Sequence, residues 1–128
     1  MLVIGMSVFS SCSTSIIGTW EHTGILHGEE YAIYYQFKDD GTFVTVGVHD
    51  YRSDDFRSDV VHSTWSLSKY TEDVLTIDDE RYNPVLELII GADRFPVLEL
   101  TEDSLMFVSN DIKVTLKRVS DSVIEKYL

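Results

Sequence analysis

The feature that most constrains this chain is a hydrophobic alternation of period two, running from Ile16 to Val119 and interrupted by polar, turn-forming clusters. Such alternation puts apolar side chains on one face of a strand and polar ones on the other. Tyr31, Ile33, Tyr35 and Phe37 alternate with Ala32, Tyr34, Gln36 and Lys38, which predicts a half-buried strand. Asp39-Asp40-Gly41 then turns the chain into the β-branched run Thr42 to His49, so the two strands are expected to form a hairpin. Val61, Ser63, Trp65 and Leu67 supply the next inward row, and Leu75 and Ile77 the one after it.

The second half repeats the pattern. The pentapeptide Pro-Val-Leu-Glu-Leu occurs at 84–88 and again at 96–100, with Gly91 to Arg94 between. It reads as a hairpin presenting Leu86, Leu88, Leu98 and Leu100 to the core. Glu102-Asp103-Ser104 and Asn110-Asp111 mark two further turns, around Leu105 to Val108 and before Ile112, Val114 and Leu116. Only Ser120 to Leu128 has helical character, with Asp121 or Ser122 as cap and Val123, Ile124 and Tyr127 on one side. With 128 residues, 44% of them hydrophobic, there is enough for one core and too little for two. The expected fold is all-β: one up-and-down antiparallel barrel of eight or nine strands over residues 16–128, ending in a short helix. Tight hairpins favour it over an immunoglobulin-like sandwich, whose crossings need longer connections.

Charge and cysteine content exclude several functions. A formal net charge of -12 opposes phosphate neutralisation, so nucleic acid is not an expected partner. It equally disfavours electrostatic adsorption to anionic lipid headgroups. A single cysteine permits neither an internal disulfide framework nor a multi-cysteine metal centre. That cysteine follows the apolar, small-residue run Met1 to Ser11 and precedes Ser13-Thr14-Ser15. Phe9-Ser10-Ser11-Cys12 resembles a bacterial lipoprotein signal. The resemblance implies that Cys12 carries a lipid, that residues 1–15 are signal remnant and tether, and that the protein is an extracytoplasmic lipoprotein of the cell envelope, on the outer membrane or surface.

Gly18-Thr19-Trp20 on the first predicted strand, with Arg118 at the end of the last, resembles the signature of lipocalins and related barrels. In that family the tryptophan plugs the closed end and a basic residue lies across its ring. The resemblance assigns these roles to Trp20 and Arg118, with Lys117 as the alternative. Tyr35-Gln-Phe-Lys-Asp-Asp-Gly-Thr-Phe43, Ser63-Thr-Trp-Ser-Leu67 and Leu116-Lys-Arg-Val119 extend it, in order and spacing, to small lipocalin-like domains of envelope lipoproteins.

Other constellations point to chemistry more weakly. His22 and His27 flank a loop with Glu29 and Glu30 beside it, and His49 could join them as a metal ligand. Four aspartates crowd the segment Asp50 to Asp59, but Arg52 and Arg57 sit among them and the order is not that of an EF-hand. The segment reads better as a lid with Tyr51 and Phe56 packing locally. Glu87 and Glu99 fall on the phase opposite the core leucines, and no Gly-x-Ser-x-Gly elbow is present. The expectation is therefore a monomeric, non-catalytic barrel without cofactor or metal. It binds a small apolar or amphipathic ligand among Tyr35, Phe43, Trp65 and Leu67. The rival is a filled barrel that acts as a protein-interaction module on the envelope.

Overall fold

A computed structural model of the chain describes residues 15–50, 52 and 56–128. Cys12 and its apolar lead-in lie outside these residues, as do Tyr51, Ser53, Asp54 and Asp55 of the acidic segment.

Turn chemistry sets the topology. His27-Gly28, Asp78-Asp79 and Asn110-Asp111 each place two consecutive residues in the left-handed region, with φ between 51° and 80°. That conformation matches the twist of the strands it joins. The resulting strands are β1 (Gly18–Leu26), β2 (Glu29–Phe37), β3 (Thr42–His49), β4 (Arg57–Lys69), β5 (Leu75–Ile77), β6 (Glu80–Tyr82), β7 (Leu86–Ile90), β8 (Asp93–Leu100), β9 (Ser104–Ser109) and β10 (Ile112–Val119). Eight of them form a closed antiparallel barrel in the order β1-β10-β9-β8-β7-β4-β3-β2. Closure removes the free edges that an open sheet would expose.

The remaining two, β5 and β6, form a separate hairpin. Leu75 and Ile77 are therefore not a stave of the wall. Their hairpin reaches the outside of β10, where the Lys113 ammonium lies 3.1 Å from the Tyr82 hydroxyl and 3.6 Å from the Glu80 carboxylate. Ile77 is buried there, at 4% exposure. The second copy of the pentapeptide also departs from expectation. The register jumps between Val97 and Glu99, a bulge that puts Val97 and Leu100 in the interior cluster in place of Leu98.

Apolar side chains are buried on both sides of the wall. Inside lie Trp20, Phe37, Phe43, Leu88, Leu105, Phe107 and Leu116. Outside, Val44, Val46 and Val48 of β3 and Ala32 and Tyr34 of β2 are equally buried. Their cover is the C-terminal 3-10 helix Asp121–Tyr127, which contributes Ile124 and Tyr127. The Tyr127 ring stacks on Tyr34 at 6.1 Å and meets Phe56 edge-on at 5.0 Å. Ser120 caps the helix, ahead of both expected caps, Asp121 and Ser122. Asp121 instead accepts a 2.7 Å hydrogen bond from the fully buried Thr19 hydroxyl, which itself accepts from Gln36.

Ile124 is fully buried, so Ile124→Ala should destabilise the fold by about 2–4 kcal/mol in urea unfolding. The exposed neighbour Glu125, changed to Ala, should stay within about 0.5 kcal/mol of the parent.

Candidate functional site

The base of the barrel is built from both ends of the chain. Trp20 and Arg118 are register partners across β1 and β10, and the guanidinium carbon sits 4.2 Å from the centre of the fully buried indole. Such a contact contributes about 0.5–2 kcal/mol. The guanidinium also donates to three backbone carbonyls: Glu102 through Nε at 2.7 Å, Ile17 through Nη1 at 2.7 Å and Ser15 through Nη2. The indole N–H donates to the Ile16 carbonyl at 2.9 Å. Gly18 is required here for two reasons. Its φ is +131°, and a Cβ would fall 2.5 Å from Arg118 Nη1, whose position those carbonyls fix. Lys117, the alternative basic residue, points outward to Glu21 at 3.4 Å.

Above this base the lower interior is packed with rings. Phe37 contacts Phe43 at 5.0 Å and Trp65 at 5.5 Å between ring centres. Trp65 donates its indole N–H to the Lys38 carbonyl at 2.7 Å. Tyr35 stacks on Phe107 at 5.9 Å and meets Phe43 edge-on at 5.5 Å. All four side chains expected to border a ligand, Tyr35, Phe43, Trp65 and Leu67, belong to this interior cluster. Phe43, Trp65 and Leu67 act in it as packing. Tyr35 differs, because its half-buried hydroxyl makes no hydrogen bond among the described residues. Burial pushes its phenol above the ordinary value.

Higher up, the inward face thins out. Ile33, Thr45, Gly47 and Val61 share the phase of Tyr35, Phe43 and Trp65. Val61 lies on the expected face, yet it is 56% exposed, because β7 pairs with β4 only from Trp65 to Lys69 and leaves the upper half of β4 without a neighbour on that side. The rim over this space is charged: Arg57 pairs with Glu29 at 3.3 Å and Arg52 with Glu30 at 2.9 Å. Both pairs are well exposed and screened by salt.

The polar candidates separate. His22 is engaged through Nδ1 with the Thr115 carbonyl at 3.2 Å and through Nε2 with the Tyr31 hydroxyl at 3.3 Å. His27 occupies a tight turn, and His49 is exposed at the upper end of β3 opposite Arg57. Among the described residues no three His, Cys, Asp or Glu are grouped to hold a metal ion. The acidic segment is shorter than its sequence implies, since Arg57, Ser58 and Asp59 already belong to β4. Glu87 is ion-paired with Arg94, and Glu99 is exposed beside the bulge. The carbonyl acceptors of Arg118 had no counterpart in the sequence reading, because a backbone oxygen carries no residue signature.

No protein-family model, curated protein or solved structure matches this chain. The closed eight-stranded barrel is therefore established by its own geometry.

Arg118→Lys keeps the charge but loses the planar fork that reaches three carbonyls, so it should destabilise the protein by about 1–3 kcal/mol. Urea unfolding followed by tryptophan emission measures this, and a parent-like midpoint would show that the clamp contributes little.

Proposed function

We propose that this protein is a lipocalin-like container, held at the cell envelope by a lipid on Cys12, that binds one small apolar or amphipathic molecule without catalysis. The observation that carries the reading is Tyr35: a hydroxyl in an aromatic interior with no hydrogen-bond partner among the described residues. A half-buried donor of this kind fixes the orientation of a ligand that is otherwise held by apolar contact. The Gly18, Trp20 and Arg118 closure supports the lipocalin likeness, since it sits at the same end of the barrel. Arg118 holds the Ser15 carbonyl at the base. A lipid on Cys12, at most about 10 Å of chain from Ser15, would therefore hang the barrel by its closed end with the mouth away from the bilayer.

Packing of Phe37, Phe43, Trp65 and Phe107 in the lower interior favours the rival reading, a filled barrel acting as an interaction module. Native mass spectrometry of protein from its own host separates the two. A co-purifying small molecule, absent from Tyr35→Phe, supports the container. A bare mass that persists with millimolar 1-naphthoate supports the filled barrel.

Two further outcomes are expected. Cys12→Ala should move the protein from the membrane fraction to the soluble one, and unchanged fractionation would refute the anchor. The raised phenol of Tyr35 favours its neutral form in the folded state. Its contribution is thus fully present below the unfolded value near 10 and is lost as pH rises through the folded value. Tyr35→Phe should flatten that alkaline loss in urea midpoints measured between about pH 9 and pH 11.

A further inference from the structure

Closure frees the wall of edges only where every ladder is present, and the staves differ in height. Strand β4 is paired with β3 from Arg57 to Thr64, but with β7 only from Trp65 to Lys69. The β7–β8 hairpin turns at Gly91 and Ala92, where the Gly91 N–H donates to the Thr64 carbonyl at 2.9 Å. Among the described residues no strand continues the wall above that turn. Residues 57–63 of β4 are therefore a sheet edge.

Two hydrogen bonds fix which backbone groups that edge presents. The Trp65 N–H donates toward β3, to the Gly41 carbonyl at 3.0 Å, whereas the Thr64 carbonyl accepts from Gly91 on the other side. Successive residues of an antiparallel strand bond in opposite directions. Asp59, Val61 and Ser63 therefore bond to β3, and the N–H and C=O groups of Ser58, Val60 and His62 face outward. Among the described residues nothing bonds to them. The edge also lacks common protections: its register with β3 runs without a bulge, and residues 57–63 hold no proline or lysine.

One inward charge decides what can pair there. Asp59 shares the inner row with Val61, is exposed, and has no ion pair among the described residues. Its neighbour on β3 is Gly47, where a Cβ would meet nothing within 4 Å, so the space beside the carboxylate is open. Arg57, in the same row, is taken by Glu29. Asp93, at the foot of the edge and on the inward phase of Phe95 and Val97, is likewise exposed and without an ion pair among the described residues. A strand that laid a neutral or acidic residue beside Asp59 would dehydrate the charge without pairing it. A second copy does that. The two-fold register that uses the whole edge sets Val60 against Val60 and Asp59 against Val61, with the two Asp59 carboxylates on a diagonal. One step further up sets them face to face, between chains of formal charge -12. We infer that residues 57–63 of β4 accept an extended segment of a basic partner protein, added as an antiparallel strand with a Lys or Arg directed inward at Asp59. Such a strand also covers Val61, which is 56% exposed. The edge is separate from the Tyr35 interior and needs no ligand there.

The acetylated, amidated peptide Lys-Thr-Val-Thr-Lys-Thr-Val, and its counterpart with Glu for both Lys, test this by calorimetry. Laid antiparallel along residues 63–57, the first places its central Val beside Val61 and its second Lys beside Asp59. The parent should bind the Lys peptide about tenfold tighter than the Glu peptide, with the preference shrinking as salt rises. Asp59→Asn should cut that preference about threefold. His62→Pro, at an exposed position whose N–H faces away from β3, should fold like the parent and bind the Lys peptide about tenfold more weakly. Amide exchange in the parent needs no variant: saturating Lys peptide should slow Ser58, Val60 and His62 about tenfold and leave Val61 unchanged. Equal affinity for the two peptides, or no added protection at those three amides, overturns the inference. A concentration-dependent dimer abolished by His62→Pro also overturns it, by making a second copy the occupant.

Discussion

Everything in this structure depends on one guanidinium. Arg118 lies over Trp20 and donates to carbonyls of Ser15, Ile17 and Glu102, so it ties the last strand to the first, to the segment before it and to the β8–β9 turn. The residues it joins are up to 103 positions apart. Bringing them together is the slow, entropically unfavourable part of forming a barrel from sequential hairpins. A lysine offers a point charge, whereas arginine offers a planar fork whose donors reach several acceptors while its face rests on a ring. Gly18 follows from the same arrangement, because any side chain there would occupy the space of the fork.

Closure at the base leaves the upper end under different rules. The wall between β2 and β3 is stiffened from outside by the C-terminal helix, whose Ile124 and Tyr127 cover Val44, Val46 and Val48. Two seams round the ring, the β1–β10 ladder runs no further than Glu21 and Lys117, and β7 pairs with β4 only from Trp65 to Lys69. The strands are thus tied most completely at the floor, and the ladders β1–β10, β4–β7 and β8–β9 all stop short of the upper end.

Much of this was legible in the sequence, and the exceptions share a cause. The hairpins could be read because Asp39-Asp40-Gly41 and Asn110-Asp111 punctuate strict alternation. The base was legible only through the resemblance of Gly18, Trp20 and Arg118 to the lipocalin signature. Alternation, however, reports only that one face is covered, not what covers it. Leu75 and Ile77 therefore look the same in the outer hairpin as they would in the wall. Val44, Val46 and Val48 read as β-branched propensity, although the apolar side of the terminal helix needed such a partner. The bulge at Leu98 and the parted β1–β10 seam are failures of pairing between distant strands, and no local pattern encodes them. Tyr35 was readable as an inward ring, but which neighbours its hydroxyl meets depends on every strand around it.

Residue-resolved amide hydrogen exchange along β1 and β10 tests the central claim most directly. The account predicts near-global protection from Thr19 to Glu21 and from Lys117 to Val119. The amides above them that face the opposite strand should exchange at least a hundredfold faster, a difference of about 2.7 kcal/mol in local opening. Uniform protection to Leu26 and Ile112 would mean a continuous ladder and would contradict a β1–β10 seam confined to the base.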